Sequence, residues 1–143
     1  MAAILKRGKY FQINELIGSK VAEEKGIFNL PLDEKVIENL NYSCSRMDEI
    51  REGYGKPIYV NSWYRCKELN AEVGGAENSK HLTGLAVDIR YDKDLLEYLK
   101  QNSQYAKLII EKAGKTKWLH VRIYTRRSTK ITSRNMHRSG KTK

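Results

Sequence analysis

The sequence predicts an α+β fold in which N-terminal helices pack on a small, mostly antiparallel sheet. Two observations lead there. In the first half of the chain apolar residues recur at helical spacing, whereas several runs in the second half alternate residue by residue. The last two alternating runs are joined by KAGKTK (112–117), a short glycine-containing segment that suits a hairpin.

Taken in order, a first short helix is expected from Glu15 to Lys25, ended by Gly26. The main helix covers 33–53. Val36, Ile37, Leu40, Cys44, Met47, Ile50 and Tyr54 keep its period, Asp33 suits the N-cap, Pro31 lies just ahead and Gly53 suits the stop. PIYVNSWY (57–64) alternates behind a proline, as a strand does, and RCKELNAEV (65–73) makes two helical turns closed by Gly74 and Gly75. A polar loop, AENSK, then leads to His81. A strand over 84–91, a helix over Lys93 to Gln101 and strands over 107–111 and 118–124 complete the domain.

At 143 residues the chain has room for one domain with a sizeable core. Residues 1–125 are expected to form it, and 126–143 a basic, flexible tail. The formal charge is +10, and the tail holds Lys and Arg but no acid. It suits a solvated extension equally with attraction to a polyanion: nucleic acid, a lipid surface or an anionic cell-wall polymer. Nucleic acid is the weakest of these readings, because no aromatic residue interleaves the basic ones after Tyr124. No run approaches the apolar length of a membrane span. The first residues offer too few apolar side chains for a secretory signal, so synthesis in the cytoplasm and another route out are expected. Cys44 and Cys66 show neither metal spacing nor a CxxC redox motif, and suit two small half-buried residues.

The chemistry collects on the strands. In SKHLTGLAVDIRY (79–91), Leu85, Val87 and Ile89 alternate as a core face. Gly84, Ala86, Asp88 and Arg90 take the other, so a carboxylate stands on a strip cleared of bulk with His81 just upstream. In WLHVRIY (118–124) the core face is Leu119, Val121 and Ile123, which turns His120 outward. A lone strand histidine is ordinarily a structural hydrogen-bonding group, and an aspartate near a sheet edge a solubility device. Together, His81, Asp88 and His120 make two imidazoles and a carboxylate with a fourth position left over, the donor set of a catalytic zinc site with one ion per chain. If Glu111 faces Trp118 across the hairpin, it becomes a diagonal neighbour of His120, beside the metal without ligating it, where a general base belongs. Glu77 is the nearest alternative acid.

SKHLTGLAVD fits S-x-H-x-x-G-x-A-x-D, and WLH the second metal motif, of the zinc D-Ala-D-Ala carboxypeptidase family. YRCKELNAEVGGAENSKH and the upstream YFQINELIGSKVAEEKGIFNLP resemble its small single-domain branch, which includes many phage-encoded cell-wall peptidases. The resemblance covers Tyr10 to Tyr124. It implies that His81, Asp88 and His120 bind Zn2+ and that Glu111 is the general base. It also implies that Arg65 holds or polarises the substrate carbonyl or carboxylate, and that Ser79 supports the site by hydrogen bonds. The implied substrates are peptides of bacterial peptidoglycan, many cut at bonds to D-alanine. The setting is cell-wall degradation after release, as an endolysin does, or as a virion component.

This chain departs from the family pattern at Trp63, where a glycine is usual, and at Arg122, where a small polar residue is usual. The competing reading is an inactive cell-wall or virion binding module of the same fold.

Overall fold

A computed structural model describes residues 3–125. The basic segment 126–143, and with it the expected boundary between domain and tail, lies outside the described residues. Among the described residues, five α-helices, one 3-10 helix and a four-stranded, wholly antiparallel sheet of order β1-β2-β4-β3 make up the fold. The α+β reading holds.

The first helix differs from the sequence expectation. Two helices, α1 (Ile13–Ile17) and α2 (Lys20–Lys25), replace the single one over 15–25. Gly18 breaks it with an extended backbone, and Ser19 starts the next by accepting from the Ala22 amide at 3.1 Å. The main helix α3 (Glu34–Tyr54) is as expected. Asp33 caps its first amides and Gly55 ends it in the left-handed region, φ +80°, two residues beyond the expected stop at Gly53. Leu40, Cys44, Met47 and Ile50 bury its inner face.

Strand β1 (Val60–Ser62) is much shorter than 57–64. It carries a bulge between Val60 and Ser62, after which the chain leaves the sheet. The Tyr64 amide donates to the Leu16 carbonyl, that of Arg65 to the His81 carbonyl and that of Cys66 to Asn29 Oδ1, so no ladder can continue. Helix α4 (Lys67–Glu72) sits inside the expected 65–73, with the Cys66 sulfur as N-cap. The expected loop before His81 runs to Ser79, whose hydroxyl caps a 3-10 helix, Lys80–Thr83, that carries His81. β2 (Ala86–Arg90), α5 (Lys93–Gln101), β3 (Ala106–Ala113) and β4 (Thr116–Ile123) follow. The hairpin is tighter than a four-residue loop: Ala113 pairs with Thr116 across a two-residue turn with Gly114 at φ +62°.

One face of the sheet, with Val87, Ile89, Leu119, Val121 and Ile123, packs with α3 and α5 into the main core. Trp63 belongs to that core as well, edge-on to Phe11 with ring centroids 5.4 Å apart, so the family departure there is a packing one. Both cysteines are free, Cys44 buried and Cys66 half-buried. Among the described residues no helix is long and apolar enough to cross a membrane.

Candidate metal centre

The face of the sheet opposite the core carries the site. β2 and β4 pair in the register Asp88↔His120, which sets the two side chains directly opposite each other. His81 comes from the 3-10 helix. Gly84 turns the chain from there into β2 at φ +83°, where a Cβ would lie 2.9 Å from Leu40 Cγ, so this close approach to α3 requires glycine. Helix α3 braces the segment from behind: Ser43 Oγ donates to the Gly84 carbonyl at 2.8 Å, and Asn39 to that of Thr83 at 3.0 Å.

One nitrogen or oxygen from each of His81, Asp88 and His120 lies within 4.8 Å of the others, and all three residues are buried. His81 Nδ1 donates to the Trp63 carbonyl at 2.6 Å. In neutral His81 that bond leaves Nε2 as a bare lone pair. Nε2 is buried with no hydrogen-bond partner among the described residues, yet Asp88 Oδ2 stands 3.1 Å away. Two lone-pair atoms that close, out of water, are complementary to a cation between them. His120 Nδ1 donates to Asp88 Oδ1 at 2.7 Å, and the two imidazoles meet edge-on at 5.2 Å. The donor set and the orphaned nitrogen both fit a divalent metal, zinc among them.

Asp88 is held strongly as the anion. Burial pushes its carboxyl up, but in the metal-free chain hydrogen bonding from His120 and from His81, and the positive charge of those rings when protonated, outweigh this and bring it down to about 2. Arg65 adds a third tie, Nη2 to Oδ2 at 3.1 Å. The same guanidinium donates from Nε to Ser62 Oγ at 3.0 Å and from Nη1 to Asn70 Oδ1 at 3.1 Å, which uses three of its five N–H groups. Burial lowers the Arg65 pKa from its ordinary value.

Glu111 pairs with Trp118 across the hairpin, as expected, and its Oε1 lies 3.8 Å from His120 Nδ1. Trp118 Nε1 donates to that oxygen at 3.0 Å and fixes the carboxylate at the cleft wall. Glu77, by contrast, is exposed and does not line the cleft. Ser79 acts through the backbone, accepting from the His81 amide at 3.1 Å. The cleft, about 510 Å³, gathers all six expected site residues: Arg65, Ser79, His81, Asp88, Glu111 and His120.

Sequence reasoning missed two supporting residues. Asn70 is buried and ties Arg65 to the loop by donating to the Ala76 carbonyl at 2.8 Å. Asn29 bridges the Tyr64 carbonyl and the Cys66 amide on either side of Arg65. A polar residue on the inner side of a short helix was the available signal for Asn70; Asn29, in an irregular segment, offered none.

Two imidazoles and a carboxylate on the lining of an open cleft, with a second carboxylate beside them, define a hydrolytic type of metal site rather than a closed structural one. The family model for Peptidase M15 matches residues 9–122, and the chain belongs to that family, the zinc D-Ala-D-Ala carboxypeptidase-like metallopeptidases. Neither the comparison with curated proteins nor that with solved structures returned a match.

Proposed function

We propose that the protein is a zinc-dependent peptidase of the bacterial cell wall, cutting peptidoglycan stem peptides at a D-alanine-containing bond or at an internal one. The observation that carries this reading is the bare, buried Nε2 of His81 facing Asp88 Oδ2 beside His120. His81, Asp88 and His120 would hold one zinc. Bound there, zinc supplies Lewis acidity toward a carbonyl and makes water a nucleophile near neutral pH.

The chain's own groups account for the rest. Glu111, with one oxygen fixed by Trp118, takes the proton of the attacking water as its oxygen bonds to the scissile carbonyl carbon. It returns that proton to the amine as the C–N bond breaks. Arg65 aims its remaining N–H groups at the charge developing on the carbonyl oxygen. Ser79 steadies the turn that carries His81. On this reading the protein meets the wall after release from the producing cell or as part of a virion, and the basic segment 126–143 draws it to anionic wall polymers.

Incubation with purified peptidoglycan, with zinc or with a chelator, and mass spectrometry of the soluble products tests the reading. Chelator-sensitive release of alanine or stem-peptide fragments is expected, and fragment masses name the bond. Zinc bound without products would refute the substrate, and absence of bound zinc would refute the metal centre.

A further inference from the structure

Six arginines lie among the described residues, and five have evident partners. Arg7 donates to Gln12 and two carbonyls, Arg46 pairs with Glu49 and Tyr42, and Arg65 is tied as described above. Arg51 and Arg90 lie over the rings of Tyr10 and Tyr59. Arg122 is the exception. It is half-buried on the cleft wall, and its one hydrogen bond runs from Nε to His120 Nε2 at 3.4 Å, a long contact with an uncharged acceptor atom.

Its surroundings make the placement costly within the fold alone. Ala86 faces Arg122 from β2 with a single methyl group and no polar atom to pair with it, while Lys107 faces it from β3. Like charges directly opposite on paired strands repel. The partly buried guanidinium has no carboxylate within ion-pair distance among the described residues. Arg65, the cation that the family pattern assigns to substrate, already neutralises Asp88 at 3.1 Å. The cleft therefore holds one guanidinium paired with a carboxylate of the protein and another, Arg122, with no such partner among the described residues.

We propose that Arg122 is a substrate-carboxylate anchor: the peptide that is cut carries a carboxylate on the residue adjoining the scissile bond, and Arg122 binds it through the planar fork that suits a carboxylate. Reach sets the position. Arg122 Nε lies 3.4 Å from His120 Nε2, so the guanidinium stands beside the metal-binding edge, and one extended peptide residue spans about 3.3–3.6 Å. A carboxylate one residue from the scissile carbonyl lies within range of the guanidinium, and one several residues away does not. Two sources present this chemistry, a free C-terminal carboxylate or an acidic side chain, and they correspond to carboxypeptidase and endopeptidase action. The anchor deepens the peptidase reading above and rests on it.

The test measures binding, so that it does not depend on turnover. Affinities for the full chain, with zinc and after chelator treatment, are measured for two pairs of N-acetylated peptides. One pair ends in D-Ala-D-Ala as the free acid or the amide; the other is C-terminally amidated and carries an internal D-glutamate or D-glutamine. In one pair the carboxylate form is expected to bind at least tenfold more tightly, and that pair identifies the source. Arg122→Gln should bring the preference below twofold and Arg122→Lys should restore part of it, with circular dichroism unchanged in both. A preference that survives in Arg122→Gln, or no preference in the wild type for either pair, overturns the anchor. Cleavage of the same peptides by the zinc-loaded chain is scored separately: a preference lost with Arg122 but no cleavage would sink the peptidase reading and leave the anchor standing.

Discussion

Asp88 is the joint on which the centre hangs, and its contribution to the metal-free fold can be worked out. Its carboxyl stands at about 2 against an ordinary 3.8. One unit of pKa is worth about 1.4 kcal/mol, so the anion stabilises the folded state by about 2 kcal/mol at neutral pH. The side chain is only 6% exposed, so solvent screening takes little from that figure. Because the folded pKa is depressed, this stability is fully present above the ordinary value and is lost as pH falls through the folded one. Roughly half should be gone by pH 3. Zinc-stripped wild type and Asp88→Asn should therefore differ by about 2 kcal/mol in urea unfolding followed by circular dichroism at pH 7, with the gap closing to about 1 kcal/mol at pH 3. A gap that does not narrow with acid would refute the reasoning, since neutralisation of the carboxyl would then not be what the substitution mimics. A variant as stable as wild type at pH 7 would show instead that desolvation cancels the ties from His120 and Arg65.

The remaining predictions concern the chemistry and its supports. Glu111→Gln should retain one zinc per chain by native mass spectrometry while cleavage falls by about 10²-fold or more; His81→Ala should lose both zinc and cleavage, and near-normal rates in Glu111→Gln would require another base. Gly75→Ala should depress cleavage at least tenfold on the order expected for misplaced catalytic groups, with little change in Tm. An added Cβ there would meet Asn70 Oδ1 at 2.1 Å and Arg65 Nη1 at 2.9 Å, pushing apart the pair that positions the guanidinium. Burial, with the charge of Asp48 behind it, pushes the Cys44 thiol up to about 12, so its thiolate is scarce at pH 8. Ellman's reagent should titrate one thiol per native chain, Cys66, and the second only after denaturation.

What could be read from the sequence followed from periodicity. Alternation assigned Val87, Ile89, Leu119, Val121 and Ile123 to one face, and that parity alone forces Asp88 and His120 onto the other. The pairing Glu111↔Trp118 followed from the hairpin even though the turn proved tighter, because shortening a loop symmetrically leaves the register unchanged. What stayed hidden was set by single glycines and irregular backbone. The first helix splits at Gly18, whose extended backbone brings it so close to the Asn14 carbonyl oxygen that a Cβ would clash, a contact that no helical pattern announces. The bulge after Val60 had no signature in PIYVNSWY, whose alternation continues past the point where pairing stops.

That bulge decides more than the length of β1. By advancing the chain one residue against β2, it sets Ser62 opposite Asp88 and sends the next three residues out of the sheet. Trp63 then turns its indole into the core, where Nε1 donates to Ser43 Oγ at 3.0 Å, and its carbonyl toward His81. Arg65 follows close enough to bond both Ser62 and Asp88. The carbonyl that selects the His81 tautomer is a backbone group, which every residue type possesses, so no sequence motif could mark it. The family departure at Trp63 is consistent with this geometry: the site uses the main chain there, and the side chain is free to be whatever fills the core. By the same logic the departure at Arg122 differs in kind, since it places a new charge on the wall of the cleft, where a peptide would meet it.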